Sequence, residues 1–151
     1  MAYPFVESPH VTRVPQRRID TVVIHTMEIA ERDDSAAICA AWFASEVSQV
    51  SAHYCVDAGT VIQCVREQDV AWHARGGNAT SIGIELAGMA GQGSHDWEDA
   101  YSDAVLARAA ELTADVCRRH RIPVRRLGPD RLRAGGRGIT GHADVTEAFG
   151  K

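Results

Sequence analysis

The residues best suited to chemistry in this 151-residue chain are a glutamate set inside an apolar run and two histidines that each end one. Ser81 to Gly88 reads SIGIELAG, with Ile82, Ile84 and Leu86 alternating against Gly83, Glu85 and Ala87. That period of two is the pattern of a strand with one face on a core, and it aims Glu85 at whatever lies across from that core. A carboxyl in apolar surroundings is held toward its protonated form and can act as a general acid or base near neutral pH. The plainer reading is a salt-bridged or edge-strand glutamate, because structural ion pairs also place acids this way. His25 ends DTVVIHT and His142 ends GITGH, and a neutral imidazole is a common zinc ligand. With seven histidines in the chain, spacing alone leaves a metal role and a packing role both open.

A second group is His53, Cys55 and Cys64 in SAHYCVDAGTVIQCV. A turn over residues 57–60 puts the two cysteines diagonally on one face of a hairpin, and His53 shares that face. Such a cluster could bind a metal or form a disulfide. Packing is the default, since the four cysteines show no CxxC spacing and free cysteine behaves as a small buried apolar group. His10, His95 and His120 lie in polar or loop contexts and read as surface residues.

These groups need a frame. Asp20 to Thr26 is a β-branched run short enough to be a central strand. Ser35 is placed to cap a helix running to about Val47, with Ile38, Trp42 and Phe43 as its apolar stripe. After the hairpin, residues 68–78 form a loop carrying Trp72, His73, Arg75 and two glycines, which reads as a pocket wall beside the Glu85 strand. Ser102 is a cap for the longest helix, whose Val105, Ala109, Leu112 and Val116 recur at helical spacing until Arg121, before Pro123. Residues 123–137 have the glycine and proline content of a loop, and residues 138–144 form a short strand and a turn presenting His142. The first eighteen residues hold Pro4, Pro9 and Pro15 and read as an extended arm. The order β, α, hairpin, β, α, β argues for a single-domain α/β fold, a central mixed β-sheet flanked by α-helices.

Composition narrows the function classes. Apolar residues make up 45% and charged residues 24% of the chain, the balance of a soluble globular protein with one core. A net charge of -4 gives no electrostatic footprint for nucleic acid, and the arginine-rich run from Arg118 to Arg133 reads as solvated surface. No apolar run approaches a membrane span, and MAYPFVESPH lacks the features of a signal peptide. The expectation is a monomer made in a cytoplasm, with no membrane insertion.

Five stretches carry a resemblance. VVIHT around His25, SAHYCVDAGTV around His53, AWHARGGN around His73, SIGIELAG around Glu85 and GITGHADV around His142 occur in the order found in zinc-dependent N-acetylmuramoyl-L-alanine amidases. Over about residues 18–150 the chain resembles the amidase type 2 family, related in fold to the peptidoglycan recognition proteins, and especially the amidase domains of bacteriophage lysins. The resemblance implies one amidase domain over residues 1–151 that uses Zn2+ to cut the bond between N-acetylmuramic acid and L-alanine in peptidoglycan, as a cell-wall lytic endolysin does. His25 and His142 match the family's two histidine zinc ligands, and Glu85 matches the catalytic glutamate of the branch that carries IGIE. Trp72, His73 and Arg75 match a substrate-contacting stretch, and Thr26 falls where relatives touch the substrate. Ala52 stands where some relatives carry a catalytic tyrosine, which fits the glutamate branch.

One departure cuts against the match. The family's third zinc ligand, an aspartate or cysteine, follows the second histidine by about ten or more residues and is preceded by a lysine, whereas this chain ends at Lys151, the loose counterpart of that lysine. Asp144 is only two residues past His142 and reads first as holding the turn, second as a carboxylate ligand. The resemblance then implies a lysin fragment lacking the C-terminal end of the family domain, or an incomplete zinc site. The alternative function is a non-catalytic peptidoglycan-binding module. As a lysin without a signal peptide, the protein is expected to be made in the host cytoplasm and to act on the bacterial cell wall; a recycling enzyme for soluble muropeptides would share its chemistry.

Overall fold

A computed structural model describes residues 2–150. In chain order the elements are β1 (Val11–Thr12), β2 (Thr21–Thr26), α1 (Ser35–Ala44), β3 (Tyr54–Val56), β4 (Val61–Gln63), β5 (Val70–Ala71), β6 (Ser81–Leu86), α2 (Ala100–His120), α3 (Pro129–Arg133), β7 (Gly138–Gly141) and α4 (His142–Phe149). Five strands form one sheet in the order β4-β3-β6-β2-β7, while β1 and β5 pair apart from it. The hairpin β3-β4 is antiparallel and every other pairing in the main sheet is parallel. The architecture is therefore the mixed α/β sheet that the element order implies. Among the described residues no helix is long and apolar enough to cross a membrane.

Helices cover both faces of the sheet, which is why all six residues of β6 are buried rather than one face of it. On one face α2 lays Val105, Leu112 and Val116 against Val22, Ile82 and Ile84. The other face is divided. There α1 packs its alanines and Cys39 over Cys55, Ile62 and Cys64, while Leu132 of α3 and Val145 of α4 pack around Val23. Successive strand residues alternate faces, so His25, Gly83 and Glu85 occupy the stretch between these two clusters.

Several local expectations are corrected. Ile38 and Trp42 do not face the core; they are 38% and 49% exposed, and α1 buries Ala36, Cys39, Ala40 and Phe43 instead. The small residues sit at true helical spacing and let the helix approach the sheet closely. The cap of α2 is Asp99, whose side chain accepts from the Ser102 amide at 2.8 Å, so the helix starts before Ser102. Residues 123–137 are not all loop, because Pro129 opens α3 and Leu132 anchors it. His142 opens the helix α4 rather than a simple turn.

His10 is buried, its Nε2 2.8 Å from the Ser45 carbonyl, and His120 is half-buried against Glu67; of the three histidines read as surface, His95 is exposed. The arginines from Arg118 to Arg133 are all exposed, as the surface reading expects, and several of them are paired there. Arg119 pairs with Glu67 and Asp115, Arg126 with Asp144, and Arg133 donates to the Glu147 and Ala148 carbonyls at the end of α4. Cys55 and Cys64 lie diagonally as the hairpin requires, with their sulfurs 3.8 Å apart, and all four cysteines are free and buried. His53 is not directed at them: its Nδ1 accepts from the Gly83 amide and its Nε2 lies 3.1 Å from the Asp69 carbonyl.

The chain before β2 is stitched down. Val6 and Ser8 donate to the carbonyls of Gln63 and Cys64, and β1 pairs antiparallel with β5. At its end Arg17 reaches inward to the carbonyls of Ser81, Asn78 and Glu67.

Glu67 ties the hairpin to the end of α2. Its carboxylate accepts from Tyr54 Oη at 2.7 Å and from Arg119, and lies 2.6 Å from His120 Nε2. Burial alone would raise the Glu67 carboxyl, but these hydrogen bonds outweigh it and hold the group below the usual range. A depressed folded value means stability that is present above the unfolded value of ~4.3 and is lost as pH falls through the folded one. Glu67→Gln is expected to cost about 1–3 kcal/mol at pH 7. Urea unfolding of both proteins at neutral and acid pH checks this, and a gap that does not shrink in acid refutes it.

Candidate active site

Three neighbouring parallel strands end level with one another and bring the chemistry together. His25 is paired across the sheet with Glu85, and Ile24 with Gly141, the residue just before His142. Open α/β sheets bind their ligands at the carboxyl ends of parallel strands, and all three side chains sit there. His25 Nδ1 is 2.8 Å from His142 Nδ1 and 3.9 Å from Glu85 Oε1. The two imidazole planes stand almost perpendicular, at 88°.

His73 joins them from the loop after β5. Its Nδ1 is 2.9 Å from His25 Nε2, and its Nε2 is 3.0 Å from Ser81 Oγ. The loop is held by Asn78, whose side-chain oxygen accepts from the amides of His73 and Ala74 at 3.0 and 2.7 Å. Gly83 makes the approach possible, since a Cβ there would lie 2.6 Å from the His73 ring.

Burial sets the electrostatics. It holds His25 well below the usual imidazole value, with His73 and His142 adding to the effect. It lowers His73 in the same way, helped by His53 and Arg17. It pushes Glu85 up to about 8, and repulsion from Glu28 adds to that. Burial thus favours neutral imidazoles at His25 and His73, beside a carboxyl whose proton affinity is raised.

A cleft of about 590 Å³ opens next to this centre, lined by Trp72, His73, Arg75 and His142 together with Val50 and Thr146. Trp72 is 38% exposed, with its indole Nε1 donating to Thr12 Oγ1 at 2.9 Å. Thr26 lies outside the lining of that cleft, and its hydroxyl donates to Glu28 Oε1 at 2.5 Å. The structure therefore gathers His25, His142, Glu85 and His73, sets Trp72 and Arg75 along the cleft, and leaves Thr26 outside its lining.

The metal question can be put to the donors themselves. Two imidazole Nδ1 atoms face each other beside a carboxyl, which fits two ligands of a zinc ion. Among the described residues no group of three or more histidine, cysteine, aspartate or glutamate side chains is arranged to hold a metal. Asp144 supplies no third donor here, because its carboxylate is taken by Arg126 and the Gly141 amide. The counterpart lysine, Lys151, lies outside the described residues.

Residues missed at the sequence level are Ser81 under His73 and Glu28 beside Thr26, while His53, grouped there with Cys55 and Cys64, instead serves the Gly83 amide. The isolated glycine inside the β6 pattern was the available signal, because such a glycine marks close approach of another group.

A mixed sheet that presents histidines and a buried glutamate at level strand ends defines an α/β enzyme domain. Comparison with known sequences makes the class specific. Residues 15–150 match the family described as N-acetylmuramoyl-L-alanine amidase (Amidase_2), and the chain belongs to that family. Over 103 residues it is 37% identical to N-acetylmuramoyl-L-alanine amidase A of Achromobacter lyticus, an alignment covering 67% of this chain and 52% of that protein. The chain thus spans about half the length of this relative. Among solved structures, the catalytic domain of XlyA superposes with a TM-score of 0.71 at 19% identity, covering 100% of this chain and 88% of that one. AmiD from E. coli, in complex with the substrate anhydro-N-acetylmuramic acid-L-Ala-D-gamma-Glu-L-Lys, gives a TM-score of 0.61 at 27% identity, covering 87% of this chain and 51% of that one.

The tight seat of His73 on Gly83 yields a direct test. Gly83→Ala must push the ring off the strand and is expected to cost about 1–3 kcal/mol, the usual range for overpacking. Thermal unfolding measures the loss, and an unchanged midpoint would show that the ring is not seated there.

Proposed function

We propose that this domain hydrolyses the amide bond between N-acetylmuramic acid and L-alanine in peptidoglycan, with zinc held by His25 and His142. The observation that carries the reading is the convergence of these two imidazoles with Glu85 at level strand ends, in a chain of the amidase family. Zinc, when bound, polarises the scissile carbonyl and acidifies water.

The chain's own residues supply the rest. Glu85 is the general acid–base group: its burial-raised carboxyl exchanges a proton near neutral pH, taking one from the attacking water and giving one to the leaving amine. The cleft beside His142 is of the size that takes a small ligand, and Trp72 offers an aromatic face to a sugar ring or peptide. Arg75, exposed on the same cleft, suits a stem-peptide carboxylate. Thr26, which follows His25 at the end of β2, is proposed to meet the substrate as well. The muramyl peptide held by AmiD supports this substrate class, and a Bacillus subtilis endolysin of the same fold supports an endolysin-type setting.

One observation favours a second reading. With only two nitrogen donors converging among the described residues, the domain would hold peptidoglycan without cutting it. The two readings separate in one assay. Purified protein supplied with zinc is expected to release new amino-terminal alanine from cell walls, and Glu85→Gln to lower that rate by about 10²–10⁴-fold. His25→Ala and His142→Ala are expected to abolish zinc uptake, read by metal analysis after dialysis. Wall binding with no alanine release in the wild type would establish the binding module instead.

A further inference from the structure

We infer that His73 is a positioning residue that fixes the tautomer of His25 and so turns the His25 Nδ1 lone pair toward His142 and Glu85. The inference builds on the proposed zinc role of His25, and it reads His73 as supporting that ligand rather than touching substrate.

The direction of the hydrogen bonds follows from one group that can only accept. The carbonyl of Gly77 lies 2.8 Å from Ser81 Oγ, so the single hydroxyl proton of Ser81 is committed to it. Ser81 Oγ must then accept from its other neighbour, His73 Nε2, at 3.0 Å. A neutral imidazole carries one donor and one acceptor, so His73 Nδ1 is bare. That nitrogen faces His25 Nε2 at 2.9 Å, and the proton between them belongs to His25. His25 Nδ1 is left as a lone pair, 2.8 Å from His142 Nδ1.

A backbone carbonyl thus sets the polarity of the whole chain from Gly77 through Ser81 and His73 to His25. Both nitrogens of His73 are used inside the protein, which leaves the substrate at most the edge of its ring. Its position is enforced from two sides, by the Gly83 backbone beneath and by the bond from its own amide to Asn78. A histidine ligand whose second nitrogen donates to a fixed acceptor is oriented and made more basic, and losing that acceptor typically weakens metal binding about 10–100-fold.

Nitrogen-15 NMR of the full chain, which distinguishes the two imidazole tautomers, is the first readout. His25 is expected in the Nε2–H form without any metal, and to lose that uniform state in His73→Ala. The second readout is zinc affinity by chelator competition. His73→Asn places a carbonyl oxygen near the Nδ1 position and should keep the tautomer and bind zinc much like the wild type. His73→Gln places its amide further out, and it should bind about 10–100-fold more weakly, as should His73→Ala. A wild-type His25 in the Nδ1–H form overturns the proposal, as does a folded His73→Ala protein with wild-type zinc affinity. A wild type that takes up no zinc defeats the proposed zinc reaction alone, since the tautomer in the metal-free protein still decides the role of His73.

Discussion

One imidazole, His25, stands within 4 Å of both a second imidazole and a carboxyl because three parallel strands end level. No tight turn links these strands; each is reached by a long connection, so nothing local sets their register. What sets it is burial. A slip of one residue in β6 would exchange Ile82, Ile84 and Leu86 for Gly83 and Glu85 against α2. Full burial of one such aliphatic side chain contributes about 1.5–3 kcal/mol, so three of them outweigh the cost of one carboxyl kept neutral on the opposite face. The apolar half of the strand therefore fixes where its reactive half points.

Beneath the centre the protein spends polar groups where a core would ordinarily be apolar. His53 receives the Gly83 amide, and Arg17 gathers the carbonyls of Glu67 on one side of His73 and of Asn78 and Ser81 on the other. Burial brings the Arg17 guanidinium down to about 10, against the pull of Glu67 and Asp69, yet it stays charged at neutral pH. An ionised donor makes stronger hydrogen bonds than a neutral one, and here they anchor the two ends of the segment that carries His73. The N-terminal segment is thus part of the machinery that holds the loop in place. Asp57 does a similar service elsewhere, joining the hairpin turn at Gly59 and Thr60 to the Ala36 amide in the first turn of α1.

The legible parts of the fold were those whose physics is periodic. The alternation in SIGIELAG and the β-branched VVIHT predict strands, and the positions 105, 109, 112 and 116 predict the helix that covers them. The stripe of α1 was misread because its buried residues are small; Ala36, Cys39 and Ala40 carry little hydrophobic signal beside Trp42, which the fold leaves outside. The short helices α3 and α4 escaped because each depends on a neighbour more than on its own pattern, Leu132 and Val145 meeting over Val23. His25, Glu85 and His142 could be picked out as strand-end or strand-borne groups. Their convergence could not, because it depends on strand order, which the sequence does not display. Ser81 was unreadable for a different reason: its role lies in the direction of one hydroxyl proton.

Strain at the rim points the same way as the burial. Among the described residues Glu28 is one of three non-glycine positions with a positive φ, at 55°, and it follows the end of β2 by only two residues. A left-handed backbone at such a residue costs about 1–3 kcal/mol and persists only where its surroundings enforce it. Here the enforcement is visible, because one Glu28 oxygen accepts from both Thr26 Oγ1 and the Ala90 amide. The conformation holds a second carboxylate near enough to Glu85 to raise its proton affinity beyond what burial does. The fixed turn, and not the burial of β6 alone, thus sets how tightly Glu85 holds its proton.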